Sequence, residues 1–104
     1  MNRIRLAGVA LVLVSSATLA VAQSPADSYK KHCAMCHGAT GTADTRPGQM
    51  MKIHPFKAAD QTAMTDAQLF NATKKGKGKM PGYAAKLTDS QIKDIVTYVR
   101  TLQK

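Results

Sequence analysis

The chain has no tryptophan and only five aromatic residues, Tyr29, Phe56, Phe70, Tyr83 and Tyr98. So few large rings make a thin core for a small domain, and a bulky apolar cofactor would fill what the side chains do not. Acidic residues are scarce too. Six Asp and Glu stand against fifteen Lys and Arg, a formal charge of +9. A basic surface of this kind favours acidic partners or anionic surfaces. Cysteine is limited to Cys33 and Cys36. A disulfide between them would close a tiny loop and constrain the unfolded chain little, so a structural crosslink is a weak explanation for the pair. No stretch alternates apolar and polar residues, which removes the signal for a sheet. There is no internal repeat and no low-complexity tract. Beyond the N-terminal stretch, no apolar run approaches the roughly 20 residues that a spanning helix needs.

What the N-terminus does have is the pattern of an export signal. Arg3 and Arg5 make a positive start, an apolar run follows from Leu6 to Val14, and Ala20-Val21-Ala22 offers the small-x-small pattern of a cleavage site. Hydroxyls at Ser15, Ser16 and Thr18 break the run, which argues for cleavage over an uncleaved anchor. A cut after Ala22 removes residues 1–22 of the 104 and leaves a mature domain of 82, residues 23–104. Arg3 and Arg5 leave with the signal, so the mature formal charge is +7.

The mature chain reads as all-α. A first helix is expected over about Ala26 to Cys36, with Ser24 or Asp27 near its start. Thr65-Asp66-Ala67-Gln68 fits a capping box. It opens a second helix that runs to about Lys75 and stops at Gly76, with Leu69, Phe70 and Thr73 on its inner face. Thr88-Asp89-Ser90-Gln91 is another capping box, followed by Ile92, Ile95, Val96, Val99 and Leu102 at helical spacing. This third helix is expected to reach about Gln103. The stretch from His37 to Asp60, with Gly38, Gly41, Pro47, Gly48 and Pro55, reads as loop with a short helix near Pro47 to Lys52. Gly76 to Lys86 reads as a second loop.

The decisive motif is Cys33-Ala34-Met35-Cys36-His37, the C-x-x-C-H signature of covalent haem attachment. Two thiols on one helical turn can each add across one haem vinyl, and the next residue then brings its imidazole to the iron. A neutral imidazole is a good iron ligand once its other nitrogen finds an acceptor. Three other readings compete. A thioredoxin-like dithiol wants a βαβ setting, which this chain lacks. A zinc site needs four ligands, and His37 beside Cys36 is awkward for one. A plain disulfide is the third. For a sixth ligand the mature chain offers Met35, Met50, Met51, Met64, Met80, His32 and His54. Met80 stands out. It lies 43 residues beyond His37, in Gly76-Lys77-Gly78-Lys79-Met80-Pro81-Gly82-Tyr83, and Pro81 stiffens that loop. His/Met ligation of haem requires such a distant, rigid Met.

Together these residues resemble the small single-haem bacterial class I cytochromes c. The resemblance covers essentially all of the mature chain. It includes Tyr29 four residues before Cys33, Cys33-x-x-Cys36-His37-Gly38, the Lys79-Met80-Pro81 loop, and the closing Val96-Thr97-Tyr98-Val99-Arg100. It implies a cytochrome c fold of three to four short helices and long loops wrapped around one covalently attached haem c. Cys33 and Cys36 would bind the cofactor, and His37 and Met80 would ligate the iron. Tyr29 and Tyr98 would lie near the crossing of the first and last helices. A proline carbonyl, from Pro47 or else Pro55, would accept the proximal imidazole proton. The function implied is that of a monomeric periplasmic single-electron carrier with no substrate chemistry of its own. A haem enzyme or gas sensor, and a fixed subunit of a larger redox complex, are the rival readings. Lys74, Lys75, Lys77, Lys79 and Lys86 cluster in sequence around Met80. As a basic rim they would steer the protein to redox partners with acidic docking surfaces; otherwise they are a solvated face. No nucleic-acid-binding motif is present.

Overall fold

The structure, a computed structural model, describes residues 7–16 and 23–104. The cleavage site expected at Ala20-Val21-Ala22 lies outside the described residues. Residues 7–16 form no helix or strand and are exposed, Val9 and Leu13 among them. Among the described residues there are six helices: α1 (Pro25–His32), α2 (Ala34–His37), α3 (Arg46–Met50), α4 (Ala59–Thr62), α5 (Asp66–Lys75) and α6 (Asp89–Leu102). No helix among them is long and apolar enough to cross a membrane.

The two capping boxes form as the sequence implies. Thr65 Oγ1 accepts from the Gln68 amide at 3.1 Å, and Gln68 Oε1 accepts from the Thr65 amide at 2.8 Å. Thr88 and Gln91 repeat the exchange at 3.2 and 2.8 Å. Each pair satisfies amides that the first helical turn leaves without an internal partner. α6 then buries Ile92, Ile95, Val96 and Val99 along one stripe. Fully burying each such side chain contributes about 1.5–3 kcal/mol. α1 and α5 both pack against α6. Tyr29 of α1 and Tyr98 of α6 meet with ring centroids 5.1 Å apart, which places the helix crossing where the resemblance implied it. Tyr29, Phe56, Leu87, Ile92, Ile95 and Val99 form the core.

Two differences from the sequence reading bear on the site. The first expected helix is in fact two. α1 is capped by Ser24, whose Oγ accepts from the Asp27 amide at 3.2 Å, and it closes at Cys33 with φ −118° and ψ −36°. The chain then turns once more as α2. The break at Cys33 separates the haem-motif turn from α1. The second difference is α4, which begins inside the stretch expected to be loop and runs past its end at Asp60. Its N-cap is Ala58, which makes no side-chain capping bond, so no capping signal marks it in the sequence.

Candidate haem-attachment site

Cys33, Cys36 and His37 lie on α2 and its N-cap, and all three border one cavity of about 360 Å³. Met80 borders the same cavity from the loop between α5 and α6. That volume lies within the roughly 300–1,000 Å³ of sites that hold small molecules and cofactors. Leu69, Ala72 and Thr73 of α5 and Ile95, Val96 and Val99 of α6 supply the largely apolar walls. The structure thus brings together four residues spread over 48 positions of sequence, from Cys33 to Met80.

The α2 wall is held by three contacts. Thr45, the N-cap of α3, donates its hydroxyl to the Cys36 carbonyl at 3.1 Å and accepts from the Gly48 amide at 3.1 Å. Gly48 lets α3 close on α2: a Cβ there would stand 2.5 Å from the Cys36 carbonyl oxygen and 2.6 Å from that of Ala43. The Tyr29 hydroxyl, buried, donates to the Gly38 carbonyl at 2.6 Å. Thr45, Gly48 and Phe56 were missed as site residues in the sequence. Their contribution is packing against the backbone and side chains of α2, for which a single sequence carries no motif.

His37 itself is half-buried, and its ring lies face to face with Phe56, with centroids 4.7 Å apart and planes 18° apart. Burial pushes its pKa below the ordinary imidazole value, which favours the neutral form that a metal needs. The proline-carbonyl expectation is not met. His37 Nδ1 is buried without a hydrogen-bond partner. The Pro47 carbonyl accepts from the Met51 amide at 3.0 Å, as part of α3, and the Pro55 carbonyl from the Ala58 amide at 2.9 Å, in the turn before α4.

The thiol chemistry separates the rival readings of C-x-x-C. Neither cysteine is in a disulfide. Burial first, and the neighbouring Cys36 second, push the Cys33 thiol up to about 11. A redox-active dithiol needs the opposite, a lowered pKa and an attacking thiolate. Among the described residues no group of three or more His, Cys, Asp and Glu stands ready to hold a metal ion, so a zinc site has no support.

On the Met80 side, Lys77 and Met80 exchange backbone hydrogen bonds, both 3.0 Å. Gly76 precedes them at φ 83° and ψ 165°. A Cβ on Gly76 would stand 2.7 Å from the Met80 carbonyl oxygen. Tyr83 donates its hydroxyl to the His32 carbonyl at 3.0 Å, joining this loop to the end of α1. Met51, Met64, His32 and His54 also border the cavity, whereas Met35 and Met50 do not and are exposed at 74 and 71 %. His54 Nδ1 pairs with Asp60 at 2.6 Å.

Two unpaired thiols, an imidazole whose charged form burial disfavours and a thioether on one apolar cavity fit a c-type haem. A family model described as cytochrome C oxidase, cbb3-type, subunit III matches residues 20–99. The chain belongs to this cytochrome c family. Among solved structures it is similar to the c-type cytochrome KustC0563, with a TM-score of 0.71 and 27 % identity over 79 % of this chain and 100 % of that one. No curated protein matches. Membership of a cytochrome c family implies covalently bound haem c, electron transfer and redox partners. The all-α fold expected from sequence is the fold observed.

Proposed function

We propose that this cytochrome is an exported one-electron carrier, monomeric, with one haem c, held by Cys33 and Cys36 and ligated by His37 and Met80. The observation that carries the reading is the single apolar cavity on which those four side chains converge. Bound there, a haem would supply one iron that accepts and returns single electrons.

The chain's own residues do the rest. The thiols of Cys33 and Cys36 anchor the group from one turn, and Thr45 and Gly48 keep that turn from moving. His37 offers a neutral imidazole because burial disfavours its charged form. Met80 offers a soft thioether, which favours reduced iron and gives a higher potential than a second histidine. The α5 and α6 walls exclude water and make the more charged oxidised state costlier. If His37 and Met80 both held the iron, it would keep no site for a substrate, which favours a carrier over an enzyme or gas sensor. The exposed apolar stretch at Val9 and Leu11–Val14, uncovered by the helical domain, supports its reading as part of a cleaved export signal and so a periplasmic location. Lys77 and Lys79 border the cavity, which favours a basic rim toward acidic partner surfaces.

Met80→Ala in the holoprotein tests the ligand set. The weak near-infrared Fe–Met band of the oxidised form is expected to vanish and the potential to fall, while Met64→Ala keeps the band. A Met80→Ala protein with unaltered spectrum and potential contradicts the assignment.

A further inference from the structure

We propose that Phe56 is a positioning residue for His37: its ring fixes the plane in which the imidazole meets the iron. The proposal rests on the reading of His37 as an iron ligand.

The two rings are stacked, 4.7 Å between centroids and 18° between planes. The last torsion of a histidine is broad and weakly restrained by its own covalent geometry. The stacked face of Phe56 restrains the ring, since turning the imidazole about its Cβ–Cγ bond would drive its edge into that face.

Phe56 can serve as a reference surface because it is itself immobilised. It is 7 % exposed, and its amide donates to the Gly41 carbonyl at 2.9 Å. Gly41, at φ +77°, leaves room for the ring: a Cβ there would stand 2.5 Å from Phe56 Cδ2. Tyr29 meets Phe56 edge-on, at 6.4 Å and 60°, and Tyr98 lies against Tyr29 at 5.1 Å. A continuous run of rings, Tyr98, Tyr29, Phe56 and His37, thus reaches from α6 to the imidazole. It ties the orientation of the ligand to the crossing of the terminal helices. The sequence reading placed the two tyrosines at that crossing but gave Phe56 no role.

Haem-methyl hyperfine shifts in the NMR spectrum of the oxidised holoprotein report the plane of an axial imidazole directly. Phe56→Leu keeps apolar bulk and loses the flat face. It is expected to change the spread of the four methyl signals while the six-coordinate absorption spectrum persists, and Phe56→Tyr is expected to restore the original spread. A Phe56→Leu protein with the wild-type spread overturns the proposal. A second measurement does not depend on any variant folding: in reduced wild-type protein, nuclear Overhauser contacts between the Phe56 and His37 ring protons are expected, and their absence also overturns it. Imidazole protons of His37 without the ring-current shift of a haem-bound histidine would remove the ligand reading and the proposal with it. Shifted imidazole protons that show no Phe56 contact would remove the proposal alone.

Discussion

The His37 segment and the Met80 loop are each bounded by a glycine in nearly the same conformation, and are otherwise held in different ways. Gly38 follows His37 at φ 81° and ψ 159°, and Gly76 opens the Met80 loop at φ 83° and ψ 165°. Beyond that the His37 segment is gripped by α3 through Gly48, by the Thr45 hydroxyl on the Cys36 carbonyl, and by an aromatic face behind the imidazole. The Met80 loop is held by its own pair of Lys77–Met80 backbone bonds, by the Tyr83 and Ala84 amides on the Thr73 and Lys74 carbonyls of α5, and by the Tyr83 hydroxyl on the His32 carbonyl. The difference teaches where each kind of damage goes. A fault on the His37 side acts on the fold and spares the sixth ligand, whereas a fault in the Met80 loop acts on the fold and the sixth ligand together.

Four perturbations sharpen that contrast. The largest effect is expected for Gly76→Ala. Its backbone region is essentially restricted to glycine, at a cost of about 1–3 kcal/mol for other residues. The new Cβ would also press on the Met80 carbonyl and the Gly82 amide, at 2.7 and 2.8 Å. We expect a stability loss near the top of that range in denaturant titration, together with loss of the near-infrared Met band. Gly48→Ala comes next, at about 2 kcal/mol, because the Cys36 and Ala43 carbonyls it would strike are backbone and cannot swing aside. Here the folded fraction should keep the Met band. A Gly48→Ala protein that folds normally and loses only Met80 would reverse the comparison.

Tyr83→Phe removes one hydrogen bond to the His32 carbonyl, worth about 1 kcal/mol. Spread onto the Met80 equilibrium, this is about a fivefold gain in the apparent affinity of added imidazole for the oxidised iron. Spectral titration measures it, and no change would mean that Tyr83 does not hold the loop.

The smallest effect belongs to the exposed His54–Asp60 pair. The His54 hydrogen bond, and after it that of Gln61, holds the Asp60 carboxyl below its ordinary value. A lowered carboxylate pKa adds stability above the ordinary value of 3.8, and that stability is lost as pH falls through the lowered one. His54→Ala should therefore lower stability slightly at neutral pH, and its difference from wild type should vanish in acid unfolding as pH falls below the lowered Asp60 value.

The helical frame was legible because its signals are local. Thr65/Gln68 and Thr88/Gln91 announce two helix starts, Gly76 a stop, and the α6 stripe its inner face. Cys33, Cys36 and His37 were legible as candidates from their spacing on a helical turn, and Met80 from its proline-flanked loop; what the structure adds is that all four border one cavity. The break at Cys33 was not, since nothing in Ala26 to Cys36 disfavours a continuous helix; α2 packs against α3 at Gly48. Phe56 was hidden for a similar reason. Its partner His37 is 19 positions away in sequence, and only the closure of the Gly41 loop brings them together. The proline-carbonyl expectation came from the resemblance alone, and neither proline carbonyl accepts from His37 Nδ1.

The most direct measurement is the mass of the proteolytic peptide that spans Cys33 to Cys36, taken from protein made in cells competent for haem attachment. The account predicts one haem added covalently to both sulfurs of that peptide. A colourless peptide with its thiols free, or joined to each other, would contradict it.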